Sequence, residues 1–211
     1  MQAGNKEHII LIGGGGHCKA CIDVLEACGA YAIKAIVDMP ARLGEKVLGY
    51  AVEHTDFNLA DLIALHKNVL ICIGQIKTPE PRIIMFKKAE DMGADFPSPV
   101  SPLAYVSPSA EIGPGTIIMH HALINSEARI GKACIINSKA LVEHESEIGP
   151  FCHISTGAVV NGGAKIGEGV FLGSNAVVGH GVNVGAGAII SAGATVLKNV
   201  QAGMRIYGEY R

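Results

Sequence analysis

From Val106 onward an aliphatic residue recurs at every sixth position: Val106, Ile112, Ile118, Ile124, Ile130, Ile136, Val142, Ile148, Ile154, Val160, Ile166, Leu172, Val178, Val184, Ile190 and Val196. Sixteen consecutive hexads, running to Gln201, hold this register without an insertion. Four residues after each aliphatic side chain sits a compact one, from Ala110, Thr116 and Ala122 through Cys134 and Cys152 to Val200. The position directly after the aliphatic residue is usually Gly, Asn, Ser or Glu, as in Ile112-Gly113, Ile148-Gly149 and Val184-Gly185. A six-residue period fits neither a helix nor an ordinary hairpin, and self-similarity at a fixed period marks a solenoid. Short extended segments joined by tight turns stack on their copies about 4.8 Å apart, and identical positions line up as ladders. One large and one small apolar residue per hexad fits a narrow prism with sharp corners, so the pattern predicts a parallel β-helix. The pattern leaves its hand open, because the usual crossover rule favours a right-handed coil.

The pattern before Val106 is different. Residues 1–7 are polar and expected to be loose. His8–Ile12 reads as a buried strand broken by Gly13-Gly14-Gly15-Gly16, and from His17 to Cys28 apolar residues recur at helical spacing up to a stop at Gly29. Ala32–Val37 is a second strand ending at Asp38, followed by a loop with Pro40 and Gly44. Leu59–His66 reads as a helix, Val69–Ile73 as a third strand ended by Gly74, and residues 80–92 as a helix entered through Pro79 and Pro81. Strands alternating with helices predict a small, parallel, Rossmann-like α/β unit over residues 1–95. The glycine loop, Asp38 and Gly74 all fall at carboxyl ends of strands, where open α/β sheets bind ligands. Prolines 97, 99, 102 and 108 make a stiff connector, so the second domain is placed at residues 96–211.

Composition narrows the partners. The 211 residues carry a formal net charge of -2 and are 17% charged, so no basic field invites nucleic acid. The chain is 49% hydrophobic, but no apolar run approaches the ~20 residues needed to span a bilayer. Ile9-Ile10-Leu11-Ile12 is too short for a signal-peptide core. The six cysteines form no secreted disulfide framework, and Cys134 and Cys152, both at the compact position of their hexads, read as reduced packing thiols. These features predict a cytoplasmic protein.

Several motifs carry chemistry, each with a plain structural alternative. The glycine loop before a helix can set backbone N–H groups against an anion. It is not a clean dinucleotide fingerprint, because Cys18 stands where a third glycine belongs. A simple tight turn is the alternative, and His17 at the loop's mouth favours a sugar or phosphate oxygen. Cys18-x-x-Cys21 has redox spacing, but the second cysteine lies on the apolar helix face and no second pair completes a zinc site, so packing is the better reading. Of the nine histidines, His120, His121, His144 and His153 fall in the central hexads, with His180 further on. His144 stands between Glu143 and Glu145 near a corner of the prism. By spacing alone it is either a solvated surface residue or a functional group facing a neighbour.

The segment from Ile136 to Ser155, with Glu143-His144-Glu145 and His153, together with Gly-Gly-Gly-Gly-His17 upstream, resembles the hexapeptide-repeat acyltransferases. Within them it is most similar to the NeuD/PglD-type sugar O- and N-acetyltransferases of bacterial surface glycan synthesis. The resemblance covers nearly the whole chain. It implies a left-handed β-helix with three hexads per coil, and a homotrimer with active sites between subunits. By the same resemblance His144 is the general base, Glu145 raises its basicity, and His153 contacts acetyl-CoA, with further contacts at Ser174 and Ala192. Gly15, Gly16, His17, Asp38 and Gly74 are implied to hold a nucleotide-linked sugar acceptor. No metal is implied.

The chemistry fits these residues. Acetyl transfer from a thioester needs an unprotonated amine or hydroxyl, and a histidine suits proton removal near neutral pH. A carboxylate beside it orients the ring and stabilises the imidazolium. Direct transfer in a ternary complex is therefore expected. Two departures from the family stand out: Met39 replaces the usual second acid after Asp38, and the chain ends Ile206-Tyr207-Gly208-Glu209-Tyr210-Arg211 where relatives carry a glycine-x-proline-alanine stretch. A γ-carbonic-anhydrase-like zinc enzyme is disfavoured, since Gly149 stands five residues after His144. A non-catalytic trimeric binding module is the remaining alternative.

Overall fold

The computed structural model describes residues 6–211. The first five residues of the polar start expected to be loose lie outside the described residues. Glu7–Ile12 (β1), Tyr31–Val37 (β2), Lys46–Val47 (β3), Tyr50–His54 (β4) and Asn68–Ile71 (β5) form one sheet in the order β3-β4-β2-β1-β5. β1 pairs parallel with β2 and β5, and β2 pairs parallel with β4. The pleat of β1 explains its unbroken apolar run: Ile9 and Leu11 pack with Cys18, Cys21, Ile22 and Leu25 of helix α1 (Gly16–Cys28). Ile10 and Ile12 face the other way, toward Leu59 and Ile63 of α2 (Leu59–His66) and Phe86 and Ala89 of α3 (Glu80–Asp91). α1 ends at Gly29, whose φ of 70° lets its N–H reach the Leu25 carbonyl. The domain is Rossmann-like, with one departure from the all-parallel expectation. β3 and β4 form an antiparallel hairpin turned by Leu48 and Gly49, at φ 48° and 90°. Leucine seldom takes a left-handed conformation, so the turn left no signal in the sequence.

The second domain is a left-handed parallel β-helix. A two-residue strand ends on the aliphatic residue of every hexad from Tyr105–Val106 to Thr195–Val196. All but Asn183–Val184 pair in parallel with the strand one coil on, as in Arg129↔Glu147, Leu141↔Val159 and His153↔Phe171. The aliphatic and compact positions form one continuous core from Ile118 to Ile206. Cys134 and Cys152 lie inside it as free thiols, donating to the carbonyls of Gly149 and Gly167 at 3.2 and 3.0 Å. Beyond Gln201 the coils shorten, and Arg205–Ile206 and Glu209–Tyr210 pair onto Ile189–Ile190 and Thr195–Val196.

The three faces of the prism differ in what they turn outward. One carries a ladder of Glu111, Arg129, Glu147, Lys165 and Asn183, in which Lys165 binds Glu147 at 3.0 Å. On the second, Ile117, Met119 and Ile135 pack into the core formed by α1. The adjoining corner sets Phe151 edge-on to Phe86 of α3, with Lys132 reaching Glu90 at 3.2 Å. His120 joins the two domains further along, bonded to Asp23 of α1 at 2.8 Å and to Ser101 at 2.6 Å. The third face presents Tyr105, Leu123, Leu141, Val159, Val177 and Thr195, and among the described residues no further strand joins its sheet.

Close stacking constrains the glycine columns. A Cβ on Gly167 would lie 2.6 Å from the Ala186 backbone nitrogen, whereas one on Gly187, at φ +67°, would meet nothing. Gly167→Ala is therefore expected to cost about 3 kcal/mol by overpacking. Gly187→Ala should cost only the left-handed backbone penalty, about 1 kcal/mol. Denaturant titration of the two variants checks the ranking.

Candidate functional site

A cavity of about 680 Å³ opens where the two domains meet, lined by Gly15, Gly16, His17, Asp38, Met39, Arg42, Gly74, Gln75, Asn137 and His153, among others. Every acceptor residue expected from the sequence is present, because the β1–α1, β2–β3 and β5–α3 loops converge at one edge of the sheet. The glycines leave the N-terminal end of α1 open: its cap, Gly15, has no side-chain hydrogen bond and the first turn holds no acid. Partial positive charge therefore faces the cavity. Gly74 packs against the His17 Cβ, 3.4 Å from where its own Cβ would stand. The His17 Nε2 is buried and has no hydrogen-bond partner among the described residues. Asp38 accepts the Gly14 N–H at 2.7 Å through Oδ2 and the Met39 N–H at 2.7 Å through Oδ1. It thus fastens the glycine loop, and it also draws Arg42 to 3.4 Å. Arg42, held from its other side by Glu45 at 2.7 Å, adds a cation at the cavity rim that sequence reading missed. Met39, at 61% exposure, offers this rim only apolar surface.

His153 forms the wall contributed by the β-helix. Its Nδ1 donates to the Gln75 carbonyl at 2.8 Å, and its Nε2, left as acceptor, takes the Asn137 amide at 3.2 Å. Burial pushes its pKa down to about 4 despite the Gln75 bond, with the neighbouring His17 and Arg82 adding to the shift, so the ring is neutral. Ser174 and Ala192 do not reach this cavity. They line a neighbouring groove of about 390 Å³ with Phe171, Lys77, Arg205 and Tyr207, and Ile76 belongs to both walls. Small side chains flanked by an aromatic ring and two cations suit a pantetheine arm and its phosphates.

His144 and Glu145 line neither space. They stand on a corner beside the third face, half exposed, with His144 Nδ1 bonded to Glu145 Oε2 at 3.0 Å. That bond leaves Nε2 as the free base. Glu143, the other flanking acid, is occupied differently, accepting the Asn125 amide at 2.8 Å and the His144 N–H at 3.3 Å. Glu145 takes a left-handed backbone, φ 59°, at the corner position filled by glycine in most later hexads. One coil on, Gly162 lies beneath the imidazole, and a Cβ there would sit 2.6 Å from His144 Cε1. Among the described residues no group of three His, Cys, Asp or Glu side chains is placed to share a metal ion.

Known proteins share this fold. The PglD N-terminal domain model matches residues 8–82, and the bacterial transferase hexapeptide model (six repeats) matches residues 163–198. No curated protein matches the chain. Among solved structures, PerB from Caulobacter crescentus, crystallised with CoA and GDP-perosamine, is 35% identical over 92% of this chain and 91% of its own, with a TM-score of 0.86. The chain belongs to the NeuD/PglD-type family of sugar acetyltransferases. A second family member, the acetyltransferase domain of PglB from Neisseria gonorrhoeae in complex with acetyl coenzyme A, is 29% identical over 97% of both chains, with a TM-score of 0.88.

In this chain, reading the sequence missed Arg42, Gln75, Asn137 and Gly162. Only Gly162 carried a readable signal: it occupies the place in its hexad that His144 occupies one coil earlier, and the ring needs that place empty. Glu145→Gly is expected to raise stability by about 1 kcal/mol by relieving the left-handed strain, while lowering kcat roughly a hundredfold. Gly162→Ala should lower kcat at least as much by displacing the ring. Thermal midpoints and acetyl-transfer kinetics of the same preparations check both. Because His153 is neutral when folded, with a pKa near 4 against 6.5, the unfolded chain binds more protons between these values. Stability should be complete above pH 6.5 and fall as pH drops toward 4, and a His153→Asn variant should lose that dependence in urea titrations.

Proposed function

We propose that the protein moves the acetyl group of acetyl-CoA to the amine or hydroxyl of a nucleotide-linked amino sugar or sialic acid in bacterial surface glycan synthesis. The observation that carries this reading is the convergence of the glycine loop, His17 and Arg42 on a cavity bounded by His153. The N-terminal end of α1 and Arg42 suit a diphosphate, and the polar rim of Gly74 and Asn137 suits a sugar. PerB, crystallised with GDP-perosamine, and a mutant GDP-perosamine N-acetyltransferase from the same organism favour an amine on a nucleotide-linked sugar as acceptor.

Acetyl-CoA supplies an acyl carbonyl activated as a thioester. Ser174, Ala192 and Phe171 hold its arm in the groove, with His153 at the boundary between groove and acceptor cavity. His144 Nε2 takes the proton from the attacking acceptor as its bond to the acyl carbon forms, and Glu145 stabilises the imidazolium through Nδ1. The C–S bond then breaks to release CoA thiolate, which takes up the proton. His144 belongs to neither space of its own chain, and this favours a homotrimer with active sites between subunits. Leu123, Leu141, Val159 and Val177 on the third face are the apolar surface such an assembly would cover. A neighbour's wall would then also dry the His144–Glu145 pair, which in the isolated chain is screened by water. The free cysteines support a reducing, cytoplasmic setting. No described helix is long and apolar enough to cross a membrane.

His144→Ala should reduce acetyl transfer to nucleotide-linked amino sugars by about 10³-fold and leave the oligomer and acetyl-CoA binding intact. Thioester consumption over a panel of amino sugar nucleotides and sialic acids, with acetyl-CoA titrated by calorimetry, measures both. A His144→Ala protein that turns over normally overturns the assignment.

A further inference from the structure

Arg82, on α3, is 1% exposed, and its hydrogen bonds are unevenly spread. Nη2 donates to Gln75 Oε1 at 2.6 Å, to the Phe151 carbonyl and to the Cys152 carbonyl at 3.5 Å, while Nε and Nη1 have no partner among the described residues. Burial lowers its pKa to about 10, so the guanidinium is still charged at neutral pH. A buried cation with two unmet nitrogens is a poor fastener for two domains, since an apolar side chain of similar volume would join them without the desolvation cost. Its hydrogen bonding instead centres on one residue. Gln75 is held at its Oε1 by Arg82 and at its Nε2 by the Gly169 carbonyl at 2.8 Å, and its own carbonyl receives His153 Nδ1 at 2.8 Å. Ile76, next in the chain, is the wall shared by the acceptor cavity and the groove.

We infer that Arg82 is a positioning residue which, through Gln75, fixes His153 in its Nδ1–H tautomer and sets the wall between the two ligand spaces. The β-helix supplies the ring and, through Asn137, a donor to Nε2, while the Rossmann-like domain supplies the Gln75 carbonyl that holds the hydrogen on Nδ1. His153 Nε2 thereby stays a hydrogen-bond acceptor, engaged by the Asn137 amide and closed to an acceptor-only group. The kinetic consequence rests on the acetyl-transfer reading above; the tautomer does not.

Gln75→Leu and Arg82→Met separate these roles from plain cohesion. Gln75→Leu leaves the backbone carbonyl in place but frees it from both tethers, and it lies in a loop, so it serves should Arg82→Met fail to fold. The ¹⁵N shifts of the His153 ring in labelled protein, assigned by comparison with His153→Asn, give the tautomer at neutral pH. In the parent protein Nδ1 should be protonated and Nε2 bare; in the variants the two tautomers should mix, and KM for acetyl-CoA should rise about tenfold or more. Folded variants that keep the parent tautomer overturn the inference. A mixed tautomer in variants of a parent that shows no acetyl transfer would refute the acetyl-transfer reading and leave the positioning role standing.

Discussion

Backbone pairing of each residue with the one a full coil away is the constraint from which the β-helix and its chemistry follow. It forces residues into columns, so that no side chain is chosen independently of those above and below it. The glycine column of Gly131, Gly149, Gly167 and Gly185 exists because each backbone presses on the next. The charged face alternates sign between coils, since like charges directly opposite would repel. His144 can lie flat only because its column offers Gly162. The prism is rigid for the same reason, and a rigid wall can present catalytic groups with little conformational freedom to lose.

The smaller domain answers to a different logic. Its sheet buries both faces and leaves only the loops at one edge free to vary, and those loops meet the β-helix at His153. The union is built from a graded set of contacts. Ile117 and Ile135 lie in the apolar core with α1, Phe151 meets α3 at a ring edge, and polar bonds from Gln75 and His120 cross the seam. Each ligand space thus draws on residues distant in sequence, and the acceptor cavity is made only when both domains are in place.

What could be read from the sequence follows from this division. The hexads announced the solenoid, its core and its corners, because every coil repeats the same physical problem. The strand and helix periods of the first domain were equally plain, and the glycine loop, His17 and Asp38 could be placed at a sheet edge without coordinates. The hand of the coil was not readable from periodicity and came through resemblance. The β3–β4 hairpin was hidden by a leucine in a glycine's conformation. Arg42, Gln75 and Arg82 carried no pattern, since their roles arise from loops that close over long stretches of chain. Gly162 lay in between: the period contained it, but only for a reader asking what His144 rests on.

The left-handed corners carry a consequence for how such a protein changes. From Gly157 to Gly193 most corners hold glycine, but His121, Glu127, Ala133, Lys139, Glu145 and Phe151 hold the same backbone shape with side chains that resist it. At each of these, drift toward glycine would relax the fold, so mutation alone pulls the early coils toward the blandness of the later ones. Phe151 and Ala133 withstand that pull where they are buried against the first domain, and Glu145 where it bonds His144. In a scaffold this repetitive, a strained corner that also makes such a contact ties the backbone shape of its coil to that contact.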